Sequence, residues 1–233
     1  MALTLFVTGT DTGVGKTYAA CALIQALRAQ GLKVGAMKPV ASGCEQTADG
    51  LRNDDALALI AATGRPLAYE TVNPYAFEPP IAPHLAARAA GVAIETVRLD
   101  AAYRRLEADC EVLVIEGAGG WRVPLSDGVS FADWVESHRW PVLLVVGLRL
   151  GCLNHAALSA ESIARRVPLV SWIANRLPPE QPEWAANVET LQGLIDAPML
   201  ACLPADAAAV PALDPNAIKA LLARLETNAG LSV

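Results

Sequence analysis

Apolar residues in this chain gather in six short runs, and the stretches between them carry helical spacing or turn residues. The runs are Leu3 to Thr8, Lys33 to Lys38, Glu111 to Glu116, Pro141 to Gly147, Leu169 to Asn175 and Pro198 to Leu203, each of strand length. Val112-Leu113-Val114-Ile115 and Val142-Leu143-Leu144-Val145-Val146 are unbroken apolar cores, the pattern of parallel strands covered on both faces. Each run is far enough from the next for a right-handed helical crossover. Between the first two, Tyr18 to Gln30 puts Ala19, Leu23, Ala26 and Leu27 on one helical face. The pattern predicts an α/β fold, a mostly parallel central sheet with helices on both faces, in one domain spanning 1–233.

The junction of the first run with the first helix is glycine-rich: Gly9-Thr10-Asp11-Thr12-Gly13-Val14-Gly15-Lys16-Thr17. Such a turn lets backbone N–H groups converge on an anion at a helix N-terminus, with Lys16 reaching terminal phosphates and the Thr17 hydroxyl able to ligate Mg²⁺. The fold expected is therefore that of the P-loop nucleoside triphosphate hydrolases. The spacing is Gly-x5-Gly-Lys-Thr, one residue longer than the usual Gly-x4-Gly-Lys-Thr.

Chemistry in open parallel sheets collects at the carboxyl ends of the strands. Lys38 leaves the second run there. Taken alone it is a solvated strand-end lysine, but two ammonium groups facing one phosphoryl group suit transfer chemistry, because fixed cations stabilise the spreading negative charge. Glu116 closes a buried strand and must be paired, solvated or metal-bound. Asn53-Asp54-Asp55 precedes a helical pattern, so one acid can serve the helix N-terminus while the other is free to ligate. Thr12 and Ser42 offer hydroxyls in the same region, and either could instead bond its own loop backbone.

Composition narrows the partners. With 233 residues, 53% of them hydrophobic, and a net charge of −6, there is ample core and no electrostatic case for nucleic acid. The five cysteines show no ligand spacing, which suggests reduced thiols in a cytoplasmic protein. No leader pattern and no apolar run of roughly 18 residues points to a membrane. His84, His138 and His155 read as structural, as do the tryptophans, except that Trp121 follows Glu116 closely enough to line a site. The Pro74 to Pro83 and Pro178 to Pro182 stretches read as ordered surface loops.

Taken together, Phe6 to Thr17, Lys38 to Gly43, Leu51 to Leu59, Asn73-Pro74-Tyr75, Ala82-Pro83-His84, Glu116 to Trp121, Pro124-Leu125-Ser126, Gly151 to Ala156 and Trp172 to Asn175 resemble the dethiobiotin synthetase family, over about Thr4 to Asp206. The longer loop spacing is that family's. The resemblance implies an ATP- and Mg²⁺-dependent ligase of biotin biosynthesis. It would close the ureido ring of dethiobiotin from 7,8-diaminononanoate and CO₂, through a carbamate and a carbamic-phosphoric anhydride, releasing ADP and phosphate. Lys16 and Lys38 would be catalytic, and Thr17, Asp55 and Glu116 would bind Mg²⁺. ATP would contact Gly13, Val14, Gly15, Lys16, Thr17, Tyr18, Asp55, Glu116, Gly117, Ala118, Gly119, Asn175, Arg176, Pro204, Ala205 and Asp206. The diamine would meet Thr12, Lys38 and Ser42, with Gly151, Cys152, Leu153 and Asn154 supplied by the other subunit of a homodimer.

Two departures and two alternatives complete the reading. Asn175-Arg176-Leu177-Pro178 lacks the Asn-Lys-x-Asp arrangement of guanine-specific GTPases, and some dethiobiotin synthetases carry an acid where this chain has Arg176. Asn175 can still pair bidentately with adenine through an acceptor and a donor, so ATP is the expected nucleotide. A partitioning ATPase would carry a further lysine early in the loop, which Gly9-Thr10-Asp11-Thr12 lacks, and a cobyrinate-type amidotransferase would need a glutaminase domain for which no chain remains. Lys38→Met is expected to cut turnover strongly and to leave stability almost unchanged.

Overall fold

The computed structural model describes residues 2–205 and 210–230. The first half runs β1 (Leu3–Gly9), α1 (Lys16–Ala29), β2 (Val34–Met37), β3 (Val40–Ser42), β4 (Glu45–Thr47), β5 (Gly50–Arg52), α2 (Asp54–Thr63), α3 (Tyr69–Val72), β6 (Tyr75–Phe77), α4 (Pro83–Ala89) and α5 (Thr96–Glu107). The second runs β7 (Val112–Gly120), β8 (Pro124–Ser126), β9 (Val129–Ser130), α6 (Phe131–His138), β10 (Val142–Leu148), α7 (Cys152–Ala164), β11 (Leu169–Arg176), α8 (Trp184–Leu194), β12 (Met199–Leu203) and α9 (Pro215–Gly230).

The central sheet has six strands, all parallel, in the order β12-β11-β10-β1-β7-β2. These are the six runs of the sequence. Their unbroken apolar character follows from two covered faces. Leu113, Ile115, Val142, Leu144 and Val146 join a core with residues of α5, α6 and α7, whereas Val112, Val114, Leu143 and Val145 join one with α1, α2 and α9. Alternate residues therefore enter opposite cores, and each fully buried aliphatic side chain contributes about 1.5–3 kcal/mol. Among the described residues no helix is long and apolar enough to cross a membrane.

Two local features differ from the sequence pattern, and both shape the site. β7 does not stop at Glu116. Val7 pairs with Glu116 and Gly9 with Gly120, so four residues of β7 oppose two steps of β1, and the strand bulges on to Gly120. The Pro74 to Pro83 stretch is not simply loop: its Tyr75–Phe77 segment forms β6, which pairs in parallel with β3. That pairing brings Pro80 to Pro83 over the carboxyl end of the sheet.

Candidate active site

β1 delivers the chain to the glycine-rich loop, and α1 begins at Lys16. Gly15 is the residue before α1 and adopts a left-handed backbone, φ 82°. A Cβ there would lie 2.1 Å from Asn175 Nδ2, so a side chain is excluded by space as well as by conformation. No side chain caps α1, which leaves its first-turn N–H groups available to an anion. The Asn175 Nδ2 donates to the Val14 carbonyl at 2.9 Å, tying the end of β11 to the loop, while Asn175 Oδ1 is buried with no partner. Lys16 is 7% exposed and donates to the Asp11 carbonyl at 2.9 Å. Burial, and then the neighbouring Lys38 charge, lower its pKa to about 8.

The sheet register places the second lysine. Met37 on β2 pairs with Ile115 on β7, so the next residues, Lys38 and Glu116, emerge side by side. Glu116 is fully buried and Lys38 is 3% exposed. Lys38 Nζ donates to Glu116 Oε1 at 2.5 Å, to Asp55 Oδ2 at 3.0 Å and to the Gly117 carbonyl at 3.4 Å. The Thr17 hydroxyl donates to the same Glu116 oxygen at 2.9 Å. Helix α2 supplies Asp55: Asn53 caps it, accepting from the Ala56 N–H at 3.2 Å, and Asp54 is exposed. Burial opposes the Lys38 charge, but the Glu116 and then the Asp55 carboxylates outweigh it and raise its pKa. Burial likewise opposes the Asp55 charge, and Lys38 outweighs it and holds that carboxyl below its usual value. Glu116 Oε2 stays buried with no partner.

Thr17, Asp55 and Glu116 thus present one hydroxyl and two carboxylates, the hard oxygen donors that Mg²⁺ takes alongside phosphate oxygens. The orphaned Glu116 oxygen fits such an ion. In the structure the Lys38 ammonium supplies the cationic charge between the two carboxylates.

A cavity of about 740 Å³ opens here, and Thr12, Gly13, Gly15, Lys16, Thr17, Tyr18, Lys38, Ser42, Asp55, Glu116, Ala118 and Gly119 line it. Ser42 Oγ is buried with no partner. The other sequence-predicted residues lie elsewhere. Val14 packs beneath the loop, and Gly117 meets Lys38 through its carbonyl. Asn175 and Leu203 are register partners, which sets Arg176, Pro204 and Ala205 at neighbouring strand ends. The Arg176 guanidinium stacks over Trp184 at 4.6 Å and lies 3.2 Å from Glu180. Asp206 is outside the described residues. Gly151, Cys152, Leu153 and Asn154 open α7 away from the cavity, and Asn154 makes no cap there, because the residue before the helix is Gly151 with no side-chain cap. Trp121 corrects the sequence expectation: it does not line the cavity but packs edge-on against Phe6, 6.4 Å between ring centroids, because β7 continues past Glu116 and turns it into the core.

Sequence reasoning missed an apolar wall and an ion pair. Pro80, Ile81 and Val123 form an apolar wall of the cavity. Asp11 accepts Lys16, and Arg149 pairs with Asp11. The alternation of Tyr75 and Phe77 about Ala76 was a signal for the strand that positions the wall. No local pattern announces the Asp11 pair, whose members are 138 residues apart.

Comparison with known proteins agrees with this geometry. The family model described as AAA domain matches residues 3–212. The ATP-dependent dethiobiotin synthetase of Pseudomonas paraeruginosa is 52% identical over 209 residues, covering 89% of this chain and 92% of that protein. ATP-dependent dethiobiotin synthetase BioD 1 of Escherichia coli K12 is 48% identical over 200 residues, covering 85% of this chain and 89% of that protein. In fold, the chain is similar to a ParA family ATPase from Chlorobium tepidum (14% identity, TM-score 0.55, 99% of this chain and 93% of that one). The MinD cell division protein of Aquifex aeolicus is similar too (16% identity, TM-score 0.54, 96% and 97%). A parallel sheet with a phosphate loop at its carboxyl edge, and long relatives at about half identity, lead to one conclusion: the chain belongs to the dethiobiotin synthetase family.

Proposed function

We propose that this protein uses ATP and Mg²⁺ to join CO₂ to the two amines of 7,8-diaminononanoate, closing the ureido ring of dethiobiotin in biotin biosynthesis. The observation that carries the reading is the meeting of Lys16 and Lys38 in one cavity at the phosphate loop. One amine nitrogen attacks CO₂ and loses a proton, giving a carbamate. A carbamate oxygen attacks the γ-phosphorus of ATP, and ADP leaves. The second amine attacks the carbonyl carbon of the resulting anhydride, loses its proton, and phosphate leaves with the C–O bonding pair.

The chain's own groups serve each step. Two ammonium groups disfavour protonated amines in the cavity and stabilise the anionic carbamate and leaving phosphate. Lys16 and the uncapped N–H groups of α1 hold phosphate oxygens. Thr17, Asp55 and Glu116 would hold Mg²⁺, which would supply positive charge against that of the triphosphate. Lys38, held between Asp55 and Glu116, would pair with substrate oxygens. Thr12 and Ser42 orient the diamine, and holding both amines beside one carbon makes ring closure effectively unimolecular. Asn175 supports adenine through one bond and not the two expected from the sequence: its Nδ2 is committed to Val14, so only the free Oδ1 remains, an acceptor suited to an exocyclic amino group.

The same proposal gives the substrate's carboxylate to the start of α7 in a second copy of the chain. The support is that this helix end has no side-chain cap and that Leu150 beside it is 93% exposed. Cys152 is buried and Asn154 is exposed, so a substitution at Asn154 probes this contact. Mixing Asn154→Asp with Lys38→Met protein is expected to restore activity, because a mixed dimer has one site with both defects and one with neither. Verified mixed dimers without restored activity contradict a shared site.

The function itself is tested by incubation with diamine, bicarbonate, Mg²⁺ and ATP. Phosphate release that depends on the diamine is expected. Hydrolysis at the same rate without diamine would point to a nucleotide-driven switch instead.

A further inference from the structure

Arg149 follows β10, and its Nη2 donates to Asp11 Oδ2 beside the phosphate loop. Asp11 spends its remaining acceptors inside the loop: Oδ1 takes the Thr12 N–H at 2.7 Å, and the carbonyl takes Lys16 Nζ at 2.9 Å. A carboxylate is an awkward group in a loop that binds polyphosphate, because its charge repels the ligand. The Arg149 guanidinium is the countercharge that the fold supplies, from a strand adjacent to β1 in the sheet. Its backbone is held too, since the Arg149 carbonyl accepts the Cys152 N–H at 3.0 Å as α7 begins. The guanidinium is therefore delivered from a fixed turn.

We propose that Arg149 is a positioning residue of the phosphate loop, acting through Asp11. It fixes the loop conformation that presents the Asp11 carbonyl to Lys16, and it cancels the Asp11 charge that would oppose a nucleoside triphosphate. The inference rests on the proposed function only in requiring that this loop bind ATP.

The test is equilibrium binding of a fluorescent, non-hydrolysable ATP analogue at low ionic strength, where screening is weakest. Arg149→Met is expected to weaken binding about three- to tenfold, in the range of a partly exposed charge pair beside a charged ligand. Arg149→Lys should recover most of the loss. Asp11→Asn added to Arg149→Met should also bind more tightly than Arg149→Met alone, because the uncompensated carboxylate is gone. The loss in Arg149→Met should shrink as salt is raised. Binding by Arg149→Met within twofold of wild type overturns the proposal, and so does a double variant no better than the single one. A loss that tracks a lowered melting temperature and ignores salt would reduce Arg149 to a structural part and overturns it equally. Wild-type protein that binds the analogue but fails to ligate the diamine contradicts the proposed function and leaves this inference standing.

Discussion

Two ionic clusters in this protein differ in one respect, completeness. Beside α6, Asp133 Oδ2 accepts the Ser130 N–H at 2.7 Å and the Ser130 hydroxyl at 2.6 Å, while Oδ1 takes Arg166 Nη2 at 2.6 Å. Arg166 reaches Glu136 as well, at 2.9 Å through Nε. Both Asp133 oxygens are engaged, and although Arg166 Nη1 lacks a partner, its charge is met by two carboxylates. At the phosphate loop the buried Glu116 crowds Lys38 and Thr17 onto Oε1 and leaves Oε2 empty-handed, with the Ser42 hydroxyl nearby in the same condition. A buried polar group without a partner is costly, so folds keep one chiefly where something else is to bind. The finished cluster holds α6 in place; the unfinished one keeps the free acceptors that the proposed function requires.

The largest expected effects come from breaking the unfinished cluster. Lys38→Met should lower turnover about 10²–10³-fold, the usual cost of losing one preorganised charge at a reacting group. The structure revises the expectation for stability. Lys38 pairs with a fully buried Glu116, so its removal strands that carboxylate and is expected to cost about 3–5 kcal/mol, read by denaturant unfolding. Added Mg²⁺ should return part of it. A Lys38→Met protein with wild-type stability and no response to Mg²⁺ would break the contrast between the clusters.

Lys16 gives the next effect. Its pKa is about 8, lowered by burial and Lys38, and bound phosphates favour the charged form. Nucleotide binding should therefore take up protons near pH 8, and affinity should fall by up to about tenfold per pH unit above it. Calorimetry in buffers of different ionisation enthalpy measures the uptake. Net proton release on binding would be the wrong sign.

Base selectivity is expected to be smaller. GTP presents an acceptor where ATP presents an amino group, leaving Asn175 Oδ1 unsatisfied, so catalytic efficiency should favour ATP by at least about tenfold. A preference for GTP contradicts the assignment.

The smallest effect sharpens the comparison from the other side. Asp133→Ala removes the third-position carboxylate of the capping box whose N-cap is Ser130, and should cost about 1 kcal/mol while leaving turnover intact. The Ser130 hydroxyl, then Arg166, hold the Asp133 carboxyl well below its usual pKa. Its contribution should therefore be complete above about pH 4 and decline as the pH falls further. Loss of activity at unchanged stability would erase the distinction between the two clusters.

How far the sequence reaches can be judged from particular residues. The six sheet strands were legible because burial on both faces forces unbroken apolar runs such as Val142 to Val146. Lys16, Lys38 and Glu116 were legible because strand ends in such sheets converge, and the register then sets Lys38 against Glu116. Their pairing with one another was not, since a lysine and a glutamate 78 residues apart carry no sign of contact. The bulge that carries β7 past Glu116, and so buries Trp121, depends on the stagger between two strands rather than on either alone. Asp11 and Arg149 were invisible for the same reason: each is an ordinary loop charge until the fold joins them.

The most direct test follows the carbon. Protein supplied with ¹³C-bicarbonate, 7,8-diaminononanoate, Mg²⁺ and ATP is analysed by mass spectrometry for product and by chromatography for ADP. The account predicts labelled dethiobiotin formed in equal amount to ADP, with both products lost together in Lys38→Met. ADP formed without labelled cyclic urea, or formed equally when the diamine is omitted, would contradict it.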